Sequence, residues 1–271
     1  MVYFILPNNI LITVPIYLIS IIIIAGRMRG LEGCVHEATH FTLFKNRTWN
    51  RNLQFLYAWP IFTSVENYRK DHLLHHYRFG TDEDPTIIYY RKIKLMGDQK
   101  IIKKHPYFHL FIAPFFGPAT KFYFQEAVDY CKKDRSFLMY LMIFWTLVFT
   151  AVSICGAWAW FSLFYLVPLF TFLPYFAHLS EIGDHGGLKL RSCLNDTRNN
   201  LGIFLHRYFI YPHDDGFHAI HHMHAGIPSH QLKKAYEALL KIDGIKEVIV
   251  SANSFNEMAN QVVTSYGHDY N

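Results

Sequence analysis

The sequence has little charge. Only 17% of its 271 residues are Asp, Glu, Lys or Arg, against about 25% in ordinary soluble domains. Residues 1–25 and 136–180 contain none of these four types. A membrane-spanning helix needs roughly 20 mainly apolar residues. We therefore predict an all-α integral membrane protein with about three transmembrane helices, at about 10–25, 137–155 and 157–177.

The sequence also lacks the signs of a disulfide-rich or nucleic-acid-binding protein. Its four cysteines show no paired spacing, which excludes a disulfide framework and a zinc knuckle. The net charge of +5 is modest, and no nucleic-acid motif is present. Basic residues cluster at the ends of the apolar runs, which suits an anionic membrane surface. We predict no nucleic-acid partner.

Those basic residues also predict an orientation. Arg27 and Arg29 follow the first span, and Lys132, Lys133 and Arg135 precede the second. Basic flanks mark the cytoplasmic side of a span. The second and third spans would form a hairpin that turns near Gly156, so the chain before and after it lies on one side. The prediction is a cytoplasmic, histidine-rich helical cap.

Local patterns predict further structure between the spans. Residues 30–50 read as a continuing helix, and residues 53–63 as a short interfacial piece. Pro168 and Pro174 should kink the second helix of the hairpin. Residues 229–243 form an amphipathic pattern that would begin with Ser229 as N-cap and end at Gly244.

Histidine is abundant, with seventeen residues. Eight fall in three clusters: HEATH at 36–40, HLLHH at 72–76 and HAIHH at 218–222. On a helix, the i, i+3 and i+4 histidines of HxxHH share one face. Three imidazoles so arranged can hold a metal ion, whereas His224 points away from that face. The lone histidines are predicted to be core or surface residues: His105, His109, His206, His230 and His268.

The number of histidines predicts two metal ions. His185 lies after the hairpin and adds a ninth candidate. Nine imidazoles exceed what one ion can bind, and imidazole suits Zn, Cu, Fe and Ni. Histidine ligands usually donate their second N–H to a carboxylate or carbonyl. Acidic residues lie near every cluster, but the sequence does not sort them: Glu37, Glu66, Asp71, Asp82, Asp84, Glu181, Asp184, Asp214 and Asp215.

The order of these motifs resembles the membrane fatty acid desaturase superfamily. HxxxH comes first, HxxHH about 30 residues later, then a hydrophobic hairpin, a single histidine and a final HxxHH. The flanks LFKNR at 43–47, YRKDH at 68–72 and GIP at 226–228 agree with it. The similarity covers roughly residues 26–229.

The resemblance implies one desaturase-like domain over residues 1–271 and a non-haem di-iron centre with O₂ as co-substrate. It implies introduction of a C=C bond into a fatty-acyl or lipid chain, with electrons from an external ferredoxin or cytochrome b5-type donor. Such proteins commonly have two spans before the first histidine box, so a first helix is expected to be absent or to precede this sequence. The implied metal ligands are His36, His40, His72, His75, His76, His185, His218, His221 and His222.

Three acidic residues are further candidates as ligands or as partners of ligands. Some relatives carry Asn four residues before the third-region histidine, where this chain has Glu181. Others place an acidic residue directly before that histidine, as Asp184 does here. Asp71 precedes the second box.

Other functions compete with desaturation. Hydroxylation or carotenoid ketolation shares the first hydrogen abstraction. The first box is also an HExxH motif, which would make His36 and His40 zinc ligands and Glu37 the general base of a membrane metalloprotease. A non-enzymatic metal-binding membrane protein is the last alternative.

Overall fold

The first helix of the fold begins with exposed apolar residues and ends in the protein interior. The computed structural model describes residues 9–95, 104–188, 196–202 and 204–266. Its α1 runs from Ile10 to Thr39, a length of about 45 Å at 1.5 Å per residue. Residues near its start, such as Leu11 and Ile19, are exposed, whereas most residues from Ala25 onward are buried. One helix is therefore long and apolar enough to cross a membrane and also carries the first histidine box up to its cap residue, His40.

The remaining elements are short except for the hairpin. The α-helices after α1 are, in chain order, α2 Arg47–Asn52, α3 Val65–Tyr77, α4 Pro85–Lys92, α5 Pro118–Lys133, α6 Arg135–Ile154, α7 Trp158–Phe161, α8 Val167–Phe170, α9 Phe172–His185, α10 Phe204–Phe209, α11 His218–Met223, α12 Ser229–Leu239, α13 Ile245–Val248 and α14 Phe255–Tyr266. Short 3₁₀ turns occupy Gln54–Leu56, Trp59–Ile61, Ala113–Phe116 and Pro212–Asp214, and π turns occupy Phe108–Ile112 and Ser162–Leu166.

Three helical stretches of the described chain are long and apolar enough to cross a membrane, as predicted. They are Ile10–Thr39, Arg135–Ile154 and Trp158–His185. The last two are joined at Gly156, whose φ of 60° is in the left-handed region that glycine tolerates. The third stretch extends beyond the predicted limit of 177 and ends at His185, so it delivers that histidine directly to the cap.

The third stretch is interrupted where prolines lie. Between α8 and α9, Thr171 leaves the helical conformation with φ −122° and ψ −77°. Pro174 has no N–H to donate to the carbonyl of Phe170. That carbonyl instead accepts a hydrogen bond from the Thr120 hydroxyl at 3.1 Å. The interruption thus lies at the predicted kink and ties the hairpin to α5.

Two local predictions were wrong. The predicted helix over 30–50 ends at Thr39, because the chain reverses at Phe41, with φ 60°, before α2 begins. The predicted cap at Ser229 is absent: Ser229 is the first residue of α12, and no side chain caps that helix through its N-cap position, Pro228. The Ser229 N–H is satisfied by the Glu37 carboxylate, from a distant part of the chain.

The segment after residue 245 returns to the cap. β1 (Asn199–Asn200) pairs in parallel with β2 (Ser251–Ala252), with Asn199 opposite Ser251. This two-residue pair is the departure from the all-α prediction among the described residues. It ties the C-terminal part of the chain to the strand that precedes the last histidine box.

Close packing of α9 against a tyrosine fixes the position of that box. A Cβ at Gly183 would lie 1.9 Å from the Tyr211 hydroxyl oxygen. Only glycine therefore lets Tyr211, which is fully buried, lie against α9 and donate to the Ser180 carbonyl at 3.2 Å. The segment leading into α11 is held beside the end of α9.

Candidate metal centre

The predicted histidines converge from four helices. α1 carries His36 and ends at the cap residue His40, α3 carries the second box, α9 ends at His185, and α11 carries the last box. Eight histidines form two sets, and within each set the four ligand nitrogens lie within 4.8 Å of one another. The first set is His36, His40, His72 and His221. The second set is His75, His185, His218 and His222.

The ninth histidine adjoins the first set. In that set, Nε2 of His36 is 3.0 Å from Nε2 of His221, and Nε2 of His72 is 2.8 Å from that of His40. Nε2 of His76 is 3.0 Å from the Nε2 atoms of both His72 and His221. Five imidazole nitrogens thus converge on one point.

The second set has the same compactness. Nε2 of His75 is 3.2 Å from Nε2 of His222, and Nε2 of His218 is 2.9 Å from that of His185. The rings of His76 and His222 stack with centroids 4.3 Å apart, so the two sets lie side by side.

Helix geometry explains how the boxes are divided. Residues at i and i+4 differ by about 40° around a helix, whereas i+3 lies about 60° to the other side. His72 and His76 accordingly face the first set, while His75 turns to the second. His218 and His222 face the second set, while His221 turns to the first. Each of the two HxxHH boxes therefore contributes to both sets, whereas His36 and His40 of the first box both belong to the first set.

The spacing of the nitrogens fits bound ions. Imidazole nitrogens at about 2.0–2.1 Å from one ion would lie about 2.9–3.4 Å apart, in octahedral or tetrahedral arrangement. The observed Nε2–Nε2 separations are 2.8–3.2 Å. The site suits a pair of transition-metal ions with imidazole ligands.

Carboxylates orient some of these rings. The Nδ1–H of His75 donates to Asp84, which is fully buried, at 2.8 Å. This bond leaves the Nε2 lone pair of His75 directed into the second set. Asp215 lies 3.5 Å from Nδ1 of His36, and Asp184 lies 3.8 Å from Nδ1 of His218.

Burial keeps the imidazoles neutral, which is the form that binds metal. Burial, followed by the neighbouring histidines, lowers the pKa of His72, His221 and His222 well below the usual value. Burial also lowers the pKa of His40 to about 4 and that of His76 to about 2. At neutral pH the cluster therefore presents lone pairs rather than charges.

The structure separates the acidic candidates by their contacts. Asp184 accepts from the Asn200 amide at 2.9 Å and from the Ser180 hydroxyl at 3.2 Å. Glu181 and Asp71 line the cavity beside the histidines and belong to neither histidine set. Glu37 accepts from the Ser229 N–H at 3.1 Å. A carboxylate so engaged is poorly placed as a general base for an HExxH protease.

The other histidines serve elsewhere. His224 is exposed, as are His105 and His230. His178 is buried between the Tyr89 hydroxyl, 2.5 Å from its Nδ1, and the Leu110 carbonyl, 2.9 Å from its Nε2. The prediction for His268 lies outside the described residues.

Sequence reasoning missed a buried polar group beside the histidines. Arg29 is not a membrane-flanking surface charge: it is 8% exposed and donates to Asp215 at 3.0 Å and Ser180 at 2.9 Å. Glu32 and Glu126 also face the cavity next to the histidines. The sequence did offer one indication that Arg29 is buried and paired: Glu32 follows it by about one helical turn.

Comparison with known proteins shows the family of this chain. A family model described as fatty acid desaturase matches residues 12–245. The chain belongs to the fatty acid desaturase family. This membrane desaturase is 29% identical over 252 residues to a dihydrorhizobitoxine desaturase of Bradyrhizobium elkanii, covering 87% of this chain and 71% of the relative. It is 21% identical over 236 residues to an sn-1 acyl-lipid omega-3 desaturase (ferredoxin) of Nostoc sp. (strain 36), covering 77% and 63%.

The family resolves part of the functional question. The desaturase is an oxidoreductase of the fatty acid desaturase type, which makes a purely metal-binding protein the wrong alternative. The printed names of the two relatives differ in substrate, one being named for dihydrorhizobitoxine and the other for an acyl lipid. Family membership therefore leaves the substrate to be argued from the site.

Proposed function

We propose that this membrane protein is an O₂-dependent desaturase whose nine clustered histidines hold a non-haem di-iron centre. The observation that carries the proposal is the pair of adjacent four-histidine sets, each compact enough for one ion, with His76 as a fifth ligand of the first set. Two bound irons would supply O₂ activation and removal of hydrogen from an unactivated C–H bond. The chain would act as one domain.

The protein's own residues would position these ions and the substrate. Asp84 fixes the ring of His75, and Asp215 and Asp184 lie behind His36 and His218. The cavity lined by His36, His72 and His75 would receive the substrate. Electrons would come from an external donor of ferredoxin or cytochrome b5 type. Family membership favours a fatty-acyl or lipid substrate.

We place the site on the cytoplasmic face. Arg27, Lys132, Lys133 and Arg135 are exposed near the ends of the spans, and basic residues favour that side. Arg29 no longer contributes to this argument because it is buried.

Hydroxylation or ketolation shares the first hydrogen abstraction and differs in inserting oxygen. The protease alternative is disfavoured because the Glu37 carboxylate is bound to the Ser229 N–H. Mass spectrometry separates these outcomes, since desaturation removes two hydrogens and hydroxylation adds one oxygen.

The test is expression in a host of known lipid profile, with mass spectrometry of its fatty acids, lipids and small metabolites. We expect a desaturated product with wild type, and no product and a lower iron content with His221→Ala. His224→Ala is the matched control, because His224 belongs to the same run but is exposed and outside both sets; it should keep product and iron. Full activity of His221→Ala would refute the ligand assignment.

A further inference from the structure

A small cavity extends from the histidines into the protein. Its volume is about 240 Å³, below the roughly 300–1,000 Å³ typical of pockets for drug-sized ligands. It is lined by His36, His72 and His75 and by apolar side chains that include Ile61, Phe62 and Phe122. A molecule in this cavity would therefore have its carbon atoms close to the histidine nitrogens.

The charge of the lining is unbalanced. Among the described residues, one guanidinium faces the cavity, that of Arg29, against six carboxyl groups. Arg29 is already opposed by Asp215 at 3.0 Å and by Glu32, whose Oε2 is 3.5 Å from the Arg29 Nε. The carboxyl groups are Glu32, Asp71, Glu126, Glu181, Asp184 and Asp215.

Three of these carboxyl groups, those of Glu32, Asp71 and Glu126, lie near tyrosine hydroxyls. The Tyr130 hydroxyl donates to Glu126 at 3.0 Å and also lies near Asp71. The Tyr123 hydroxyl lies near Glu32 and donates to the Ile61 carbonyl at 3.0 Å. Burial raises the pKa of Glu126, the hydrogen bond from Tyr130 lowers it, and the nearby Asp71 and Glu32 raise it again; the resulting pKa is about 7.

Two carboxylate oxygens facing the cavity accept no hydrogen bond. Oε1 of Glu181 is buried without one, and Oε2 of Glu32 has only its ion pair with the Arg29 Nε, 3.5 Å away. Arg29 is only 8% exposed. Buried polar groups are normally paired, so the open positions point to a ligand that supplies hydrogen-bond donors and positive charge.

We propose that this cavity takes a small substrate that carries a protonated amine, with the amine against Glu32 and Glu126 and the reacting carbons beside His36 and His72. The inference rests on the desaturase function proposed above and specifies its substrate class. A plain acyl chain fits less well, because burying carboxyl groups against methylenes leaves them unpaired. Ile61, Phe62 and Phe122 would hold a short carbon chain between the amine site and the histidines.

The test uses three probes of one chain length and different head groups. The full-length, iron-loaded protein in detergent is titrated by calorimetry with pentylamine, pentan-1-ol and pentanoate. We expect the amine to bind at least tenfold more tightly than the other two. Equal affinity for the three probes, or preference for pentanoate, overturns the proposal without any variant.

Variants then test whether Glu32 and Glu126 are the residues that bind the amine. Glu32→Gln and Glu126→Gln should each weaken pentylamine binding at least tenfold and leave pentan-1-ol binding unchanged. Asp129→Asn is the matched control: it lies on the same helix as Glu126, outside the cavity, and contacts Gln125 and Lys132. An amine preference that survives the double variant Glu32→Gln/Glu126→Gln overturns the assignment.

The failures of the two proposals are distinguishable. A His221-dependent desaturated acyl lipid together with no amine preference would refute the substrate inference and keep the desaturase function. Amine-selective binding without any His221-dependent oxidation in the expression host would keep the binding assignment and refute the function.

Discussion

The two histidine sets are built alike and supported differently. Each combines an i, i+4 pair with one histidine from each of two other segments. In the second set His75 is anchored at 2.8 Å by the fully buried Asp84. In the first set the nearest carboxylate to His36 is Asp215, at 3.5 Å and shared with Arg29.

Burial differs in the same direction. Three histidines of the second set are buried, His75, His185 and His218, against two of the first, His36 and His221. The second set should therefore hold its ligands in place through a fixed carboxylate, and the first mainly through the helices that carry it. The following predictions test that difference.

Removing the anchor of the second set should have the largest effect. In Asp84→Asn the amide can donate to Nδ1 of His75, which moves the ring proton to the nitrogen that faces the metal. Loss of such a partner typically costs about 10–100-fold in metal affinity or activity. Iron retained against a chelator, and the rate of product formation, measure it.

Asp82→Asn is the control for this change. Asp82 lies two residues earlier, is exposed and pairs with Arg91, so iron retention should be unchanged. Asp215→Asn should release less iron than Asp84→Asn because its contact with His36 is longer. Equal iron release from all three variants would remove the distinction between the sets.

The sequence predicted which histidines would be ligands and which helical faces carry them. It did not predict which of the two sets each histidine belongs to. The i, i+4 and i+3 offsets define directions on one helix, but which set each direction meets depends on how α3 and α11 lie against each other. The anchors Asp84 and Asp215 were among many nearby acids, and only their distances to His75 and His36 separate them from the solvated ones.

Long-range packing explains the other misses. The sequence predicted Arg29 to be a charge at the membrane boundary. The positive-inside rule does not take into account that α1 continues into the protein interior. Glu32 and Glu126 come from α1 and α5, which are distant in sequence, so no local pattern could place them in one cavity. The hydrogen bond from the Ser229 N–H to Glu37 could not be predicted for the same reason, because the two residues are distant in sequence.

Acid should weaken the metal-free protein, in part through the first set. Burial lowers the pKa of His40 to about 4, whereas an unfolded histidine titrates near about 6.5. As the pH falls below about 6.5, the unfolded chain takes up a proton that the folded protein does not. The free energy of unfolding should therefore fall with pH until about 4.

Thermal unfolding of chelator-treated protein at pH 7.5 and pH 5 checks this direction. The melting temperature should be lower at pH 5, and the difference should shrink in His40→Gln, which has no titrating ring. His224→Gln, at an exposed site, should keep the wild-type difference. A melting temperature that rises on acidification would contradict the argument.

The smallest effect is expected at Glu37, beside the first set. In Glu37→Gln the side-chain oxygen can still accept from the Ser229 N–H, so the free energy of unfolding should fall by only about 1 kcal/mol. Product formation should persist. Loss of product from a folded Glu37→Gln protein that keeps its iron would contradict this expectation and show that the reaction needs the carboxylate.

Ser229→Pro is the complementary change, because it removes the N–H while proline is tolerated at the first position of a helix. It leaves the buried Glu37 carboxylate without that donor, which should cost about 1–3 kcal/mol of stability. Since neither residue belongs to a histidine set, both variants should keep their iron. Loss of iron from Ser229→Pro alone would show that the first set depends on the docking of α12, and that its support extends further than the helices that carry it.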